Sequence, residues 1–385
     1  MERQNSFPPW KWIVALAIVA GLALLAYNLL PTKPIIQTEV LYRVIDLSEI
    51  GGKKTKVIAY NGIGDLVGEY EKLDGTKGAF LWNEKDGFQD LGDFGGSLSR
   101  ANAIDDNRWI VGYSQDSTNR EKAFQWTEET GMVELGDLGG DISRAYTITP
   151  GDGILGESTT QGVAKSHAFI WNASEGMVDL GTLGGDFSSA SVMNAHGYIV
   201  GNSFPKGSVC HGVIWNPSRE ISDLGSLGPN LASWTWTINT HHWISGSVEY
   251  ERNKANAALW DASGEIHVIG SLGGASSDFC CVTDELIAVG WSETGHGFQS
   301  RILLKGLEYF GDITGKRLLD RTPHGFLYDW NTGRGYDLNH LIAEDAGWVI
   351  NKAVGINSAG KILAEGSHLG KQKTCFLEPL SPLSD

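Results

Sequence analysis

Apolar and polar positions alternate in short runs along most of this chain. In one window four segments stand out: SASVMN from Ser189, YIVGNS from Tyr198, HGVIWN from His211 and EISDLG from Glu220. Each has the length of a strand, and the breaks between them are turn compositions, Asn194-Ala195-His196-Gly197 and Pro217-Ser218. Short links between neighbours predict an antiparallel meander. The 3.6-residue period of an amphipathic helix is missing, and glycines are too frequent for helical repeats.

The meander repeats. GFQDLGDFGGSLSRA starts at Gly87, GMVELGDLGGDISRA at Gly131 and GMVDLGTLGGDFSSA at Gly176. Worn copies are EISDLGSLGPNLAS from Glu220, EIHVIGSLGGASSD from Glu265 and VIDLSEIGG from Val44. The apolar residue of the DL pair falls at Leu47, Leu91, Leu135, Leu180, Leu224 and Val268, in steps of 44, 44, 45, 44 and 44 residues. Four antiparallel strands in such a period match a β-propeller blade; a parallel β-helix uses far shorter coils. The small residues that open SASVMN suit the crowded strand nearest the axis. The DLG strand is then outermost, and the GG segment carries the chain to the next blade. Trp82, Trp126, Trp171, Trp215 and Trp260 recur at the end of the third strand and are expected to pack between blades.

The expected fold is therefore all-β: a β-propeller of eight blades, the seventh reduced, with seven blades as the alternative. First strands begin near Lys56, Ala101, Ala145, Ala190, Trp234 and Asp278, and the sixth blade runs to about Phe310. GKRLLD, HGFLYDW and GYDLN then read as a blade without its inner strand. KAVGINSAG, KILAEGS and TCFLEPL read as a last blade without its outer one. VLYRVIDLS from Val40 supplies the missing strand type, so the ring is expected to close by joining both ends of the repeat region in one blade, which also removes two sheet edges.

A different pattern occurs once. From Trp12 to Thr32 no residue is charged and most are Ile, Val, Ala or Leu; Arg3 and Lys11 precede the run and Lys33 follows. That length spans a bilayer as one transmembrane helix, and the preceding cations keep the N-terminus in the cytoplasm. The expected organisation is a short cytoplasmic N-terminus at 1–11, a signal anchor at 12–32, a linker at 33–39, the propeller at 40–380 and a tail at 381–385. The alternative is a cleaved signal peptide and a secreted protein.

Composition narrows the functions. The net charge is −16 and the cations are scattered, so no nucleic-acid footprint is present. Cys210, Cys280, Cys281 and Cys375 form no C-x-x-C and read as small buried hydrophobes; the neighbours Cys280 and Cys281 point to opposite faces of a strand.

HAFIW at His167, DLGTLGG at Asp179 and YIVGNS at Tyr198 resemble the bacterial extracellular proteins named for their HAF repeats; AFLW at Ala79, AFQW at Ala123 and AALW at Ala257 are variants. The resemblance covers about residues 42–304 well and 323–380 loosely. It implies an exported, propeller-like protein and carries no defined activity and no known catalytic residues. With the anchor, it places the propeller outside the bacterial inner membrane.

Chemistry is sparse. GGKKT at Gly51 lacks the P-loop spacing, and no H-E-x-x-H occurs. G-x-S recurs at Gly112, Gly156, Gly201 and Gly290 without completing a nucleophile elbow, so it reads as a strand-end feature. Asp93, Asp137, Asp141 and Asp186 read as solvated loop carboxylates. No catalytic residue, metal site or cofactor is assigned. Departures from the repeat are the candidates for binding. Trp234 and Trp236 occupy an inner strand that is small elsewhere, and His241, His242 and Trp243 crowd the turn after it. They either fill a wider gap in an irregular ring or form an aromatic ligand platform. Arg100 and Arg144 hold equivalent places before inner strands, where they either hold an anion or pair with the nearby aspartates. The function expected is a protein- or glycan-binding scaffold of the envelope, with membrane contact through the N-terminal helix. The alternatives are a polysaccharide hydrolase or lyase with a dispersed funnel site, and a structural envelope component.

Overall fold

The computed structural model describes residues 40–162, 165–294 and 323–380. The segments expected to be cytoplasmic, membrane-spanning, linker and tail lie outside the described residues, as do residues 163–164 and 295–322. Among the described residues no helix is long and apolar enough to cross a membrane.

Among the described residues the strands fall into seven antiparallel four-stranded meanders: residues 53–90, 95–134, 139–179, 184–223, 233–270, 273–337, and 348–379 completed by Tyr42–Asp46. They are called blades 1 to 7 in that order. Blades 1 and 2 are also joined by one parallel pair, Lys77↔Leu98. Successive first strands touch one another, which places them nearest the axis. Closure is as expected from the sequence: Tyr42–Asp46 runs antiparallel to Lys371–Pro379, from Tyr42↔Pro379 to Asp46↔Cys375. The charge pairs Arg43–Glu378 and Lys373–Asp46 lie along this seam.

The separate reduced blade does not form from its described residues. Pro323–Asp329, which contains HGFLYD, pairs with Ile287–Thr294, and Arg334–Asp337 follows it outward. They are the third and fourth strands of blade 6. The sequence reading ended that blade too early because 28 residues, 295–322, separate its second strand from its third. A repeat period cannot anticipate an insertion of that size.

The core is a set of wedges between blades. Leu155, Ala168, Ile170 and Leu180 of blade 3 meet Ala190, Ile199, Val213 and Trp215 of blade 4. Val111, Ala123 and Leu135 of blade 2 meet Ala145, Ile154 and Phe169 of blade 3. Leu363 and Phe376 of blade 7 join Val57, Leu66 and Phe80 of blade 1, which seals the ring. Each fully buried large side chain contributes about 1.5–3 kcal/mol.

Hydrogen bonds between blades account for the repeated phrase. The serine seven residues after the DLG glycine is buried and bridges two blades. Ser99 Oγ accepts from Ala79 N at 2.8 Å and donates to Gly92 O at 2.9 Å. Ser143, Ser188 and Ser277 repeat both bonds in their own blades. The G-x-S serines are structural too: Ser114, Ser158, Ser203 and Ser292 accept from the crossing amides of Phe94, Leu138, Leu183 and Leu272. The glycine of G-x-S is forced by close approach, since a Cβ on Gly112 would lie 1.9 Å from Arg100 O. The histidine at the head of the third strand meets the DLG aspartate, at 2.9 Å for His167–Asp179 and 2.8 Å for His211–Asp223. Trp215 and Trp260 donate from Nε1 to Leu180 O and Leu224 O of the preceding blade, as inter-blade packing requires. All four cysteines are free; Cys210 and Cys375 are buried, and burial pushes both thiols up to about 12.

Candidate functional site

The two rims of the ring are built differently. One carries the turns between first and second strands, and these are bonded to the next blade. Asn61 Nδ2 donates to Asp105 O at 3.0 Å, Asn194 Nδ2 to Asn239 O at 3.1 Å, and Asn239 Nδ2 to Thr283 O at 2.9 Å. Arg108 spans blades 2 and 1 through both oxygens of Asp65, at 2.8 and 3.1 Å. The other rim carries the GG crossings and the loops between second and third strands. Among the described residues these loops differ in length and sequence, from two residues, Arg252 and Asn253 in blade 5, to five, residues 206–210 in blade 4.

The first strands give the axis a ring of side chains that the register identifies. The residue before the one facing the second-strand glycine is Lys56, Arg100, Arg144, Ser189, Trp234 and Asp278 in blades 1 to 6. In blade 7, where Ala364 replaces the glycine, it is Lys352. Toward the turn rim the same strands carry more apolar residues. Ile58, Ala59, Cys281, Val354 and Ile356 line a cavity of about 340 Å³, and Ile104, Ile148 and Met193 line one of about 470 Å³. The axis is thus charged at the loop rim and mixed at the turn rim, where Asp105, Thr147, Thr149 and Asp152 share the second cavity with the apolar residues.

The ring charges are mostly answered. Lys56 pairs with Glu365 of blade 7 at 2.8 Å. Arg144 bonds Glu121 of blade 2 and, at 2.7 Å, Glu157 of its own blade. Burial opposes its charge, but Tyr146, Glu121 and Glu157 outweigh burial and hold it firmly protonated. Tyr146 is raised by burial and by Glu157 beside it. Asp278 accepts from the Trp236 indole at 2.9 and 3.0 Å. Burial lifts its carboxyl to about 6, although Trp236, Ser247 and Lys352 each pull it down. Arg100 and Lys352 are the exceptions: neither has an ion-pair partner among the described residues, although Lys352 stands opposite Glu365 and attracts Asp278, and Arg100 Nε is shielded from solvent with no hydrogen-bond partner.

The candidate residues therefore separate. Arg100, Arg144, Trp234 and Trp236 lie on first strands, with Trp236 the exposed member of the pair of tryptophans. His241, His242 and Trp243 lie on the turn rim of blade 5. There Trp243 stacks on His267 at 5.8 Å and packs against Trp330 at 4.7 Å. His242, at φ +63°, packs on Tyr198 at 4.6 Å. His241 is exposed, 3.8 Å from Asp284. The turn-rim histidines and Trp243 are thus in contact with neighbouring blades, apart from the axial tryptophans. Sequence reasoning used Lys56 and Asp278 only to mark strand starts and passed over Lys352. Lys352 precedes an inner alanine as Arg100 and Arg144 do, so aligning the repeats on that alanine would have found it; Lys56 and Asp278 precede Val57 and Phe279, and only the strand register shows them.

Among the described residues Asp261, Glu265 and His267 bring metal-ligand atoms within 4.8 Å of one another. Asp261 is already committed to a turn, accepting from Ser263 and the Glu265 amide as well as His267. Asn172 and Asn216 build the same turn in blades 3 and 4. The group is therefore explained by the turn.

No protein-family model and no curated protein matches the chain. Solved structures do. The β-propeller domain of the Trilobed protease from Pyrococcus furiosus is 11% identical, with a TM-score of 0.52 over 86% of this chain and 99% of that one. An oligogalacturonate lyase in complex with manganese is 9% identical, with a TM-score of 0.53 over 90% of this chain and 98% of that one. A TolB from Acinetobacter baumannii is 12% identical with a TM-score of 0.41 over 55% of this chain; the chain spans about half of its length, 53%. At these identities the first two similarities define the fold, a β-propeller, and nothing finer.

Proposed function

We propose that this protein is a membrane-anchored, extracytoplasmic scaffold of the HAF-repeat type, a seven-bladed propeller that binds a protein or glycan of the envelope at its loop rim. The difference between the rims carries this reading. Binding surfaces need variety mounted on a rigid frame. The turn rim spends its polar groups on holding blades together, while the loop rim carries uneven loops around a charged axial mouth. A pull-down from envelope proteins and glycans with the purified chain tests it. Replacing residues 117–120 and 206–208 by Gly and Ser should abolish capture, whereas Asn357→Ser on the turn rim should cost stability and leave capture intact. Capture that survives the loop replacement counts against the reading. Protease added to intact spheroplasts should digest the chain beyond Pro34; protection of that region would reverse the topology.

One feature favours a second reading, an enzyme acting on polysaccharide: Asp278 lies beside the exposed Trp236, and burial raises its carboxyl to about 6, toward the range in which a general acid works. A neighbour in fold is named as an oligogalacturonate lyase. A hydrolase releases new reducing ends and a lyase unsaturated ends; incubation of the purified protein with oligouronides that yields neither removes this reading.

A further inference from the structure

Arg100 and Lys352 flank blade 1 at the loop-rim mouth. Neither makes an ion pair or a side-chain hydrogen bond with a described residue, whereas Lys56 between them is paired with Glu365. The contrast with blade 3 shows why Arg100 is free. Where Arg144 meets Glu121, the equivalent residue at the start of the preceding blade's third strand is Lys77, and Lys77 is itself tied to Glu69 at 2.7 Å. Where Arg144 stands opposite Glu157, Arg100 stands opposite Tyr113. Both acids that would neutralise this guanidinium are thus replaced, one by a cation. Arg100 is only partly exposed, and a partly buried charge with a shielded, unbonded Nε is costly unless something else supplies the acceptor. In a chain of net charge −16 this cationic spot is local.

A second feature shares the axis. Trp234 holds the position equivalent to Arg100, and Trp236, two residues further on, is 38% exposed. The bond from its indole N–H to both oxygens of Asp278 fixes the ring. A fixed aromatic face takes the apolar face of a sugar ring, and a guanidinium takes a carboxylate through paired hydrogen bonds. The two together fit an acidic sugar better than an acidic peptide, which has no flat apolar face to offer the tryptophan.

We propose that the axis beneath its loop-rim mouth is a subsite for the carboxylates of a uronate-containing glycan, with Arg100 as the anchor, Lys352 as a second cation and Trp236, one step toward the turn rim on its own strand and bonded to Asp278, as the stacking surface. This deepens the binding reading and rests on it.

Calorimetric titration of the purified full chain in detergent tests the subsite. The probes are trimers of galacturonate, glucuronate and mannuronate, with a neutral glucose trimer, hexaglutamate and inorganic phosphate as controls. At least one uronate trimer should bind, and the neutral trimer should bind at least tenfold more weakly. R100Q should weaken uronate binding at least tenfold. R100K should weaken it several-fold, since lysine keeps the charge and loses the paired geometry. W236A should weaken it with the charge intact. The melting temperature of R100Q should match the parent, because Arg100 has no partner to lose; this control separates a lost site from a lost fold. The proposal is overturned if no uronate trimer binds, if R100Q binds as the parent does, or if phosphate or hexaglutamate binds as well as the best uronate. Should R100Q still capture a partner in the envelope pull-down while uronates fail, the rim reading stands and the subsite falls; if capture also fails, both fall.

Discussion

Arg144 and Arg100 stand in the same S-R-A string, five residues after the first glycine of their crossings, yet they do different work. Arg144 ties blades 2 and 3 together through Glu121 and also holds Glu157. Arg100 faces a lysine and a tyrosine at the same two places and bonds to neither blade through its Nε. The repeat sets where a side chain sits, and the few residues around it that depart from the repeat decide what it does. One arginine has become part of the frame. The other is left available to a ligand.

The comparison breaks most visibly at Arg144. R144Q leaves Glu121 and Glu157 close together, both largely buried, with no cation between them. Breaking a buried pair costs about 3–5 kcal/mol; this one opens toward the mouth, so the expected loss is about 2–3 kcal/mol. Denaturant unfolding of the purified chain would show it as a lower midpoint with an unchanged slope. If R144Q and R100Q unfold at the same midpoint, the two junctions are not different in the way described.

The repeat made the blade, its strand order and the closing strand legible, because Leu at intervals of 44 or 45 residues and DLG-x-LGG are signals of spacing. The serine latches explain why those strings stay together: moving Ser143 by one residue would break its bonds to both Ala123 N and Gly136 O. The blade-6 strands could not be read correctly, because 28 residues interrupt the period before Pro323. The candidate site was legible in part. Arg100 and Arg144 were visible as residues, but Lys77 and Glu121 lie 23 residues upstream of them on another blade, so only the folded ring shows that one arginine is neutralised and the other is not. The Trp234–Trp243 run was already legible as two parts, an inner strand with Trp234 and Trp236 and a turn with His241, His242 and Trp243. A β-turn sends its two halves to opposite parts of the blade.

Asp278 extends the comparison to an anion at the same ring position. Burial raises its carboxyl from 3.8 to about 6, so its charge costs the folded state stability at neutral pH. The sign follows from linkage. Above pH 6 the carboxyl is ionised in both folded and unfolded chains, and the full penalty applies. As pH falls through 6 toward 4 the folded form takes up its proton first, and the penalty disappears. D278N keeps an acceptor for the Trp236 indole and removes the charge. It should unfold about 1–2 kcal/mol later than the parent at pH 7, after allowance for screening at the open mouth, and the advantage should vanish by about pH 4. A gain that is constant with pH would mean that Asp278 is not the group responsible.

The smallest expected effect sharpens the comparison from the other side. K77E and Y113E together rebuild the surroundings of Arg144 around Arg100. Lys77 now holds Glu69, so the substitution releases one acid while it supplies two new ones to Arg100. The new pairs lie beside a partly exposed mouth, where ion pairs contribute about 0–1 kcal/mol, and the released Glu69 offsets part of that gain. The net change in stability should stay within about 1 kcal/mol of zero. Binding should respond far more strongly, because a guanidinium already bonded to two carboxylates has no paired donors left for a third. The double variant should therefore lose uronate binding as completely as R100Q while unfolding close to the parent midpoint. A variant that keeps both its stability and its uronate affinity would show that Arg100 remains free, and that the difference between the two arginines does not arise from the residues at 77 and 113.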